Sequence, residues 1–131
     1  MAESFYIDMV NNDLTAVRNY EIPPPFGLEF YREGFEEHWI DIHKLADKYN
    51  HVDFDIFNNQ FKDFRSELNT RQFYLTINNE FIGTSTAWND LDDKYRGYGR
   101  IHWLAVIPAY QNRGLGLPPT LFNISFVCLS I

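Results

Sequence analysis

Late in the chain two glycines bracket a single residue, Gly114-Leu115-Gly116, directly after Pro108-Ala109-Tyr110-Gln111-Asn112-Arg113. A turn lacking Cβ atoms lets backbone approach a ligand closely and aims several N–H donors at one point, and a helix starting there adds partial positive charge. Such a turn can cradle a diphosphate. Gly-x-Gly equally describes a plain turn, so the residues before it must decide between the two readings. Those residues, from Gly99 through Val106 to Pro108, read as a strand closed by proline. The glycines therefore stand just past the C-terminal end of a strand.

Other elements have to place that strand. From Arg71 to Trp88 the pattern has period two on either side of Asn78-Asn79, a pair that tolerates the positive φ of a two-residue hairpin turn. Asn89 to Gly99 forms a connecting loop holding Asp90, Asp92, Asp93 and Gly97. Upstream, Phe35, Trp39, Ile42, Leu45 and Tyr49 recur at steps of three and four and predict one face of a helix. Asp53 is the expected N-cap of a second helix, striped by Phe54, Phe57, Phe61, Phe64 and Leu68. An aromatic stripe at this spacing is core packing first and the wall of a binding site only second. The run Gly27-Leu28-Glu29-Phe30-Tyr31-Arg32 suits a first strand. Residues 1–26 are polar and irregular and read as an arm ending in Pro23-Pro24-Pro25, expected to be extended. Residues 117–131 fit no clear element, with Pro118 and Pro119 where a helix would be starting.

The 131 residues suffice for one domain, and 45% apolar with 18% aromatic content places the chain among folding proteins. There is no internal repeat or linker. A net charge of −7 argues against nucleic acid as a partner. It does not exclude a small polyanion held by backbone donors. The single Cys128 allows neither an internal disulfide nor a cysteine-rich metal site, and no metal is expected. Nothing argues a base or helix terminus beside it, so it is not read as a nucleophile. The opening MAESFYIDMV has no cationic stretch followed by an apolar one, and no run approaches the roughly 18 apolar residues of a membrane span. A cytoplasmic protein without membrane contact is expected.

From Leu104 to Gly116 the chain resembles the acetyl-CoA signature of the GNAT superfamily of N-acyltransferases, hydrophobic-x-V-x-P-x-x-Q/R-x-x-G-x-G/A. The order of elements agrees, so the resemblance extends from about Gly27 to Gly116. It implies an α+β fold, an α/β/α sandwich with a mixed, mainly antiparallel sheet flanked by helices. It also implies acetyl-CoA as donor and an amine-bearing acceptor. Carried over by position, it assigns the main chain of Leu104, Ala105 and Val106 to pantetheine. It assigns Gln111, Asn112, Arg113, Gly114, Leu115 and Gly116 to the pyrophosphate.

In that family a carboxylate or histidine on the central strands deprotonates the amine. His102 is the candidate here: it lies two residues before Leu104, hence on the same strand face, and titrates near neutral pH. A hydrogen-bonded structural histidine is the competing reading. His38, His43 and His51 fall at helix polar positions and are expected in solvent. Asp90, Asp92 and Asp93 either attract a cationic acceptor or are plain loop residues, and Lys94, Arg96 and Arg100 either reach phosphate or are surface charges. The family continues well past the signature, whereas this sequence runs 15 residues beyond Gly116. A partial GNAT domain spanning 1–131 with an atypical tail at 117–131 is therefore expected, and no tyrosine can be assigned as general acid. An unpaired sheet edge and an apolar tail favour a homodimer. The alternative to an enzyme is a non-catalytic module, derived from the same fold, that binds CoA or another protein.

Overall fold

The computed structural model describes residues 22–89 and 99–113. Strand β1 (Phe26–Phe30) leads through helices α1 (Glu36–Ala46) and α2 (Phe54–Phe61), a 3-10 segment (Lys62–Glu67) and a single helical turn, α3 (Leu68–Arg71). Strands β2 (Gln72–Ile77), β3 (Glu80–Asn89) and β4 (Gly99–Val106) follow, and a short 3-10 turn (Pro108–Tyr110) closes the described part. The four strands form one sheet in the order β1-β2-β3-β4, every neighbour antiparallel. This is the α+β architecture that the sequence implies.

Local chemistry explains most of it. Asn78 and Asn79 take φ of 50° and 65°, and Ile77 pairs with Glu80 across that two-residue turn. Asp53 is extended, and its Oδ1 accepts from the Ile56 N–H at 2.9 Å, capping α2. That stripe buries Phe57, Phe61 and Leu68 completely, although α2 ends at Phe61 and Leu68 belongs to α3. Trp39 meets Phe57 and Phe61 edge-on at centroid distances of 5.2 and 5.8 Å. Aromatic pairs favour this geometry because the positive ring edge faces the negative π-cloud. These rings fill the space between α1, α2 and the sheet.

Three expectations are corrected. Helix α1 stops at Ala46, leaving Leu45 60% and Tyr49 86% exposed, so neither continues the buried face. The face turned inward is Trp39, Ile40, Ile42 and His43, and His43 is buried rather than solvated. The triple proline turns instead of extending, with the Phe26 N–H on the Pro23 carbonyl at 3.0 Å. The arm at 1–21, the loop at 90–98 and residues 114–131 lie outside the described residues. No helix among the described residues is long and apolar enough to cross a membrane.

Candidate functional site

Strand β4 borders the described sheet, and a bulge interrupts it. Thr84 pairs with Ala105 and Thr86 with His102, so Ser85 of β3 stands opposite both Trp103 and Leu104. Trp103 absorbs the extra residue with φ 52°, the left-handed region that a bulky side chain seldom enters. Beyond the bulge the pairing is regular. The Ile107 N–H donates to the Ile82 carbonyl at 2.9 Å, so Ile107 faces β3 and strand alternation turns Ala105 the same way. Leu104 and Val106 consequently present their N–H and C=O groups to the outer edge. Of the three main-chain segments expected to meet pantetheine, two face outward and Ala105 is taken up by Thr84.

Close packing of β3 holds that edge. A Cβ on Gly83 would lie 3.1 Å from the Ala105 carbonyl oxygen and 3.4 Å from both Leu75 Cβ and Val106 Cγ2. Glycine lets β2 and β4 approach there as closely as they do.

After β4 the chain makes its 3-10 turn. The Gln111 main-chain N–H donates to the Pro108 carbonyl at 3.2 Å, and its side-chain Nε2 donates to the Val106 carbonyl at 2.8 Å. Gln111 is therefore a strut between strand and loop, and its amide is not among the converging donors expected of the cradle. Asn112 follows with φ 62°, reversing the chain, and the Arg113 guanidinium lies over the Tyr110 ring at 5.1 Å. Gly114, Leu115 and Gly116 fall outside the described residues, as do Asp90, Asp92, Asp93, Lys94, Arg96 and Cys128.

The bulge also rearranges the helix-facing side of β4. His102 and Trp103 both reach α2: His102 Nε2 lies 3.0 Å and Trp103 Nε1 3.1 Å from Oε1 of Gln60. Adjacent residues share a face because Trp103 is the bulged residue. Ala105 joins the buried core on the helix side, whereas Leu104 is 44% exposed and outside that cluster. The expectation that His102 shares the face of Leu104 thus fails, because period-two alternation does not survive an inserted residue.

Two elements missed in the sequence support this arrangement. Gln60 carried no signal beyond its place on a helix 42 residues from His102. His43, four residues after the buried Trp39, packs on Trp103 at a centroid distance of 5.2 Å and on Trp39 at 4.4 Å. That i to i+4 spacing was the available clue. Burial pushes the His43 imidazole down to about 4, against the upward pull of its hydrogen bond to the Trp103 backbone and of the Asp47 charge. His43 Nε2 has no partner among the described residues.

Across the sheet from His102, Thr86 Oγ1 accepts from Gln72 Nε2 at 3.0 Å, and the Tyr74 hydroxyl donates to Gln72 Oε1 at 2.6 Å. All three are buried, and burial raises the Tyr74 phenol well above its usual range. A second cluster joins the start of α1 to the 3-10 segment after α2. Tyr31 donates to Glu36 Oε2 at 2.8 Å, as does the Gly34 N–H at 3.0 Å, with Arg65 at 3.3 Å from Oε1. Burial there raises the Glu36 carboxyl, but these hydrogen bonds and the Arg65 charge outweigh it and leave it below the usual range. The partners of both clusters are satisfied internally, which marks them as structural.

The sequence profile of the acetyltransferase (GNAT) family matches residues 27–117, from β1 through the turn after β4. The chain belongs to the GNAT acetyltransferase family. Its fold is similar to that of a putative acetyltransferase from Pyrococcus horikoshii, with a TM-score of 0.65 at 13% identity over 86% of this chain and 38% of that one. The ribosomal-protein-S18-alanine N-acetyltransferase of Escherichia coli aligns with a TM-score of 0.50 at 22% identity over 75% of this chain and 57% of that one. Glucosamine-6-phosphate N-acetyltransferase of Arabidopsis thaliana gives 0.52 at 14% identity over 80% of this chain and 75% of that one. The chain thus spans well under two thirds of the first two, and at these identities the likeness is one of fold. No curated protein matches it in sequence. The outward edge at Leu104 and Val106 lies within the matched residues.

Proposed function

We propose that this chain is an N-acetyltransferase that moves acetyl from acetyl-CoA to a primary amine by direct attack, without a covalent enzyme adduct. The observation that carries the reading is the outward edge at Leu104 and Val106, followed at once by the left-handed turn at Asn112. Pantetheine is a chain of amides, and an open strand edge pairs with amides as it would with another strand. The Val106 carbonyl is taken by Gln111, so among the described residues the Val106 N–H and both main-chain groups of Leu104 are the ones this edge offers. The exposed Leu104 side chain supplies apolar cover beside them. The amides from Asn112 to Gly116 would hold the diphosphate.

Acetyl-CoA supplies a thioester whose carbonyl carbon the amine nitrogen attacks: a C–N bond forms, the C–S bond breaks, and the electron pair leaves on sulfur. The chain's task is to orient the carbonyl, to place N–H donors where negative charge develops on its oxygen, and to accept the proton of the attacking amine. His102, on β4 opposite Thr86, is proposed as that acceptor. The partners required are acetyl-CoA and an amine-bearing acceptor, in a cytoplasmic setting.

Calorimetry with acetyl-CoA, paired with a thiol-release assay over a panel of primary amines, tests the proposal. Saturable binding with thiol release on at least one amine supports it. Saturable binding with no release on any amine points to a CoA-binding module, and an absence of binding sinks both readings.

A further inference from the structure

The shared contact on Gln60 determines more than distance. An indole N–H only donates, so the Gln60 atom 3.1 Å from Trp103 Nε1 has to be the amide oxygen. That same oxygen lies 3.0 Å from His102 Nε2. A carbonyl oxygen only accepts, through two lone pairs, and here both face donors. His102 Nε2 must therefore carry a hydrogen, and in the neutral ring the lone pair belongs to Nδ1. We infer that Gln60, its amide oriented by Trp103, is a positioning residue that holds His102 as the Nε2–H tautomer and makes Nδ1 its basic nitrogen.

The inference names the atom of His102 that would take the proton, and so rests on the reading of His102 as the base. Its chemistry is separate, however, because a tautomer is measurable without turnover. Gln60 is exposed on α2, so substitutions there spare the core. Gln60→Leu removes the acceptor. Gln60→Glu keeps one, since a carboxylate accepts from both neighbours.

The experiment is two-bond nitrogen–proton NMR of the full chain labelled with 15N-histidine, above the pH where the ring protonates, with the His102 signals assigned by their loss in His102→Gln. The expected wild-type spectrum has Nε2 protonated and Nδ1 not. Gln60→Leu should move both signals away from the wild-type pattern toward a mixture of the two tautomers, and Gln60→Glu should retain the wild-type pattern. Acetyl transfer should fall about tenfold or more in Gln60→Leu, part of the 10²–10⁴ that a positioned base supplies. Nδ1 protonated in the wild type, or signals unmoved by Gln60→Leu, would overturn the inference. If the tautomer responds as expected while His102→Gln keeps full turnover, the positioning stands and the reading of His102 as base falls.

Discussion

Gln111 donates its side-chain amide to the main-chain carbonyl of Val106 at 2.8 Å, tying the loop after β4 to the strand it leaves. One side chain thereby sets the distance between the edge proposed to meet pantetheine and the turn proposed to meet phosphate. Gln111→Ala removes the strut without touching the core, because Gln111 is exposed. A net hydrogen bond contributes about 0.5–1.5 kcal/mol. Calorimetry should show acetyl-CoA affinity weakened by roughly twofold to tenfold, with the melting temperature little changed. A large drop in melting temperature would show that the bond serves the fold instead.

The buried His43 makes stability depend on pH. Its folded value near 4 lies below the ordinary 6.5, so between those values the unfolded chain binds a proton that the folded chain refuses. Stability is fully present above about pH 6.5 and declines as pH falls toward 4. The contribution of this group is on the order of 3 kcal/mol across that window. Denaturant titrations from pH 8 to 4 should show the loss, and His43→Leu should flatten that part of the curve. An unchanged slope in the variant would assign the effect to other groups.

Gly83 separates β2 from β4 at the place where the outward edge begins. A side chain there meets the Ala105 backbone oxygen at 3.1 Å, and backbone within a ladder yields less readily than the end of a side chain. Gly83→Val should destabilise the fold by about 1–3 kcal/mol, the usual cost of overpacking. It should also weaken acetyl-CoA binding, because strain relieved by moving β4 moves Leu104 and Val106. Chemical denaturation and calorimetry on the same sample read both, and a stable variant with intact binding would contradict the packing argument.

Much of the fold was legible because its decisive residues act locally. Asn78-Asn79 and Asp53 solve problems one turn wide, and the hydrophobic pattern carries Trp39, Phe57 and Phe61 to the core. Past Ile42 the stripe was ambiguous: Leu45 and Tyr49 fitted the period as well as His43 did, and a titratable ring was assumed to prefer water. The bulge left no trace, since nothing about tryptophan advertises positive φ at Trp103. One inserted residue moved His102 away from the face of Leu104, and only three-dimensional proximity joined it to Gln60. The Leu104–Gly116 signature singles out the candidate site, while the arrangement at its start, with Ala105 paired to β3 and Gln111 acting as strut, depends on hydrogen bonds that no pattern of residue types encodes.

The central claim is that the outer edge of β4 receives the donor. Backbone amide NMR of the full chain titrated with CoA tests it directly. Saturable shifts at the amides of Leu104, Val106, Asn112 and Arg113, with Ala105 and Ile107 perturbed less because they remain paired to β3, are the expected result. Saturable binding that leaves Leu104 and Val106 unmoved would contradict it.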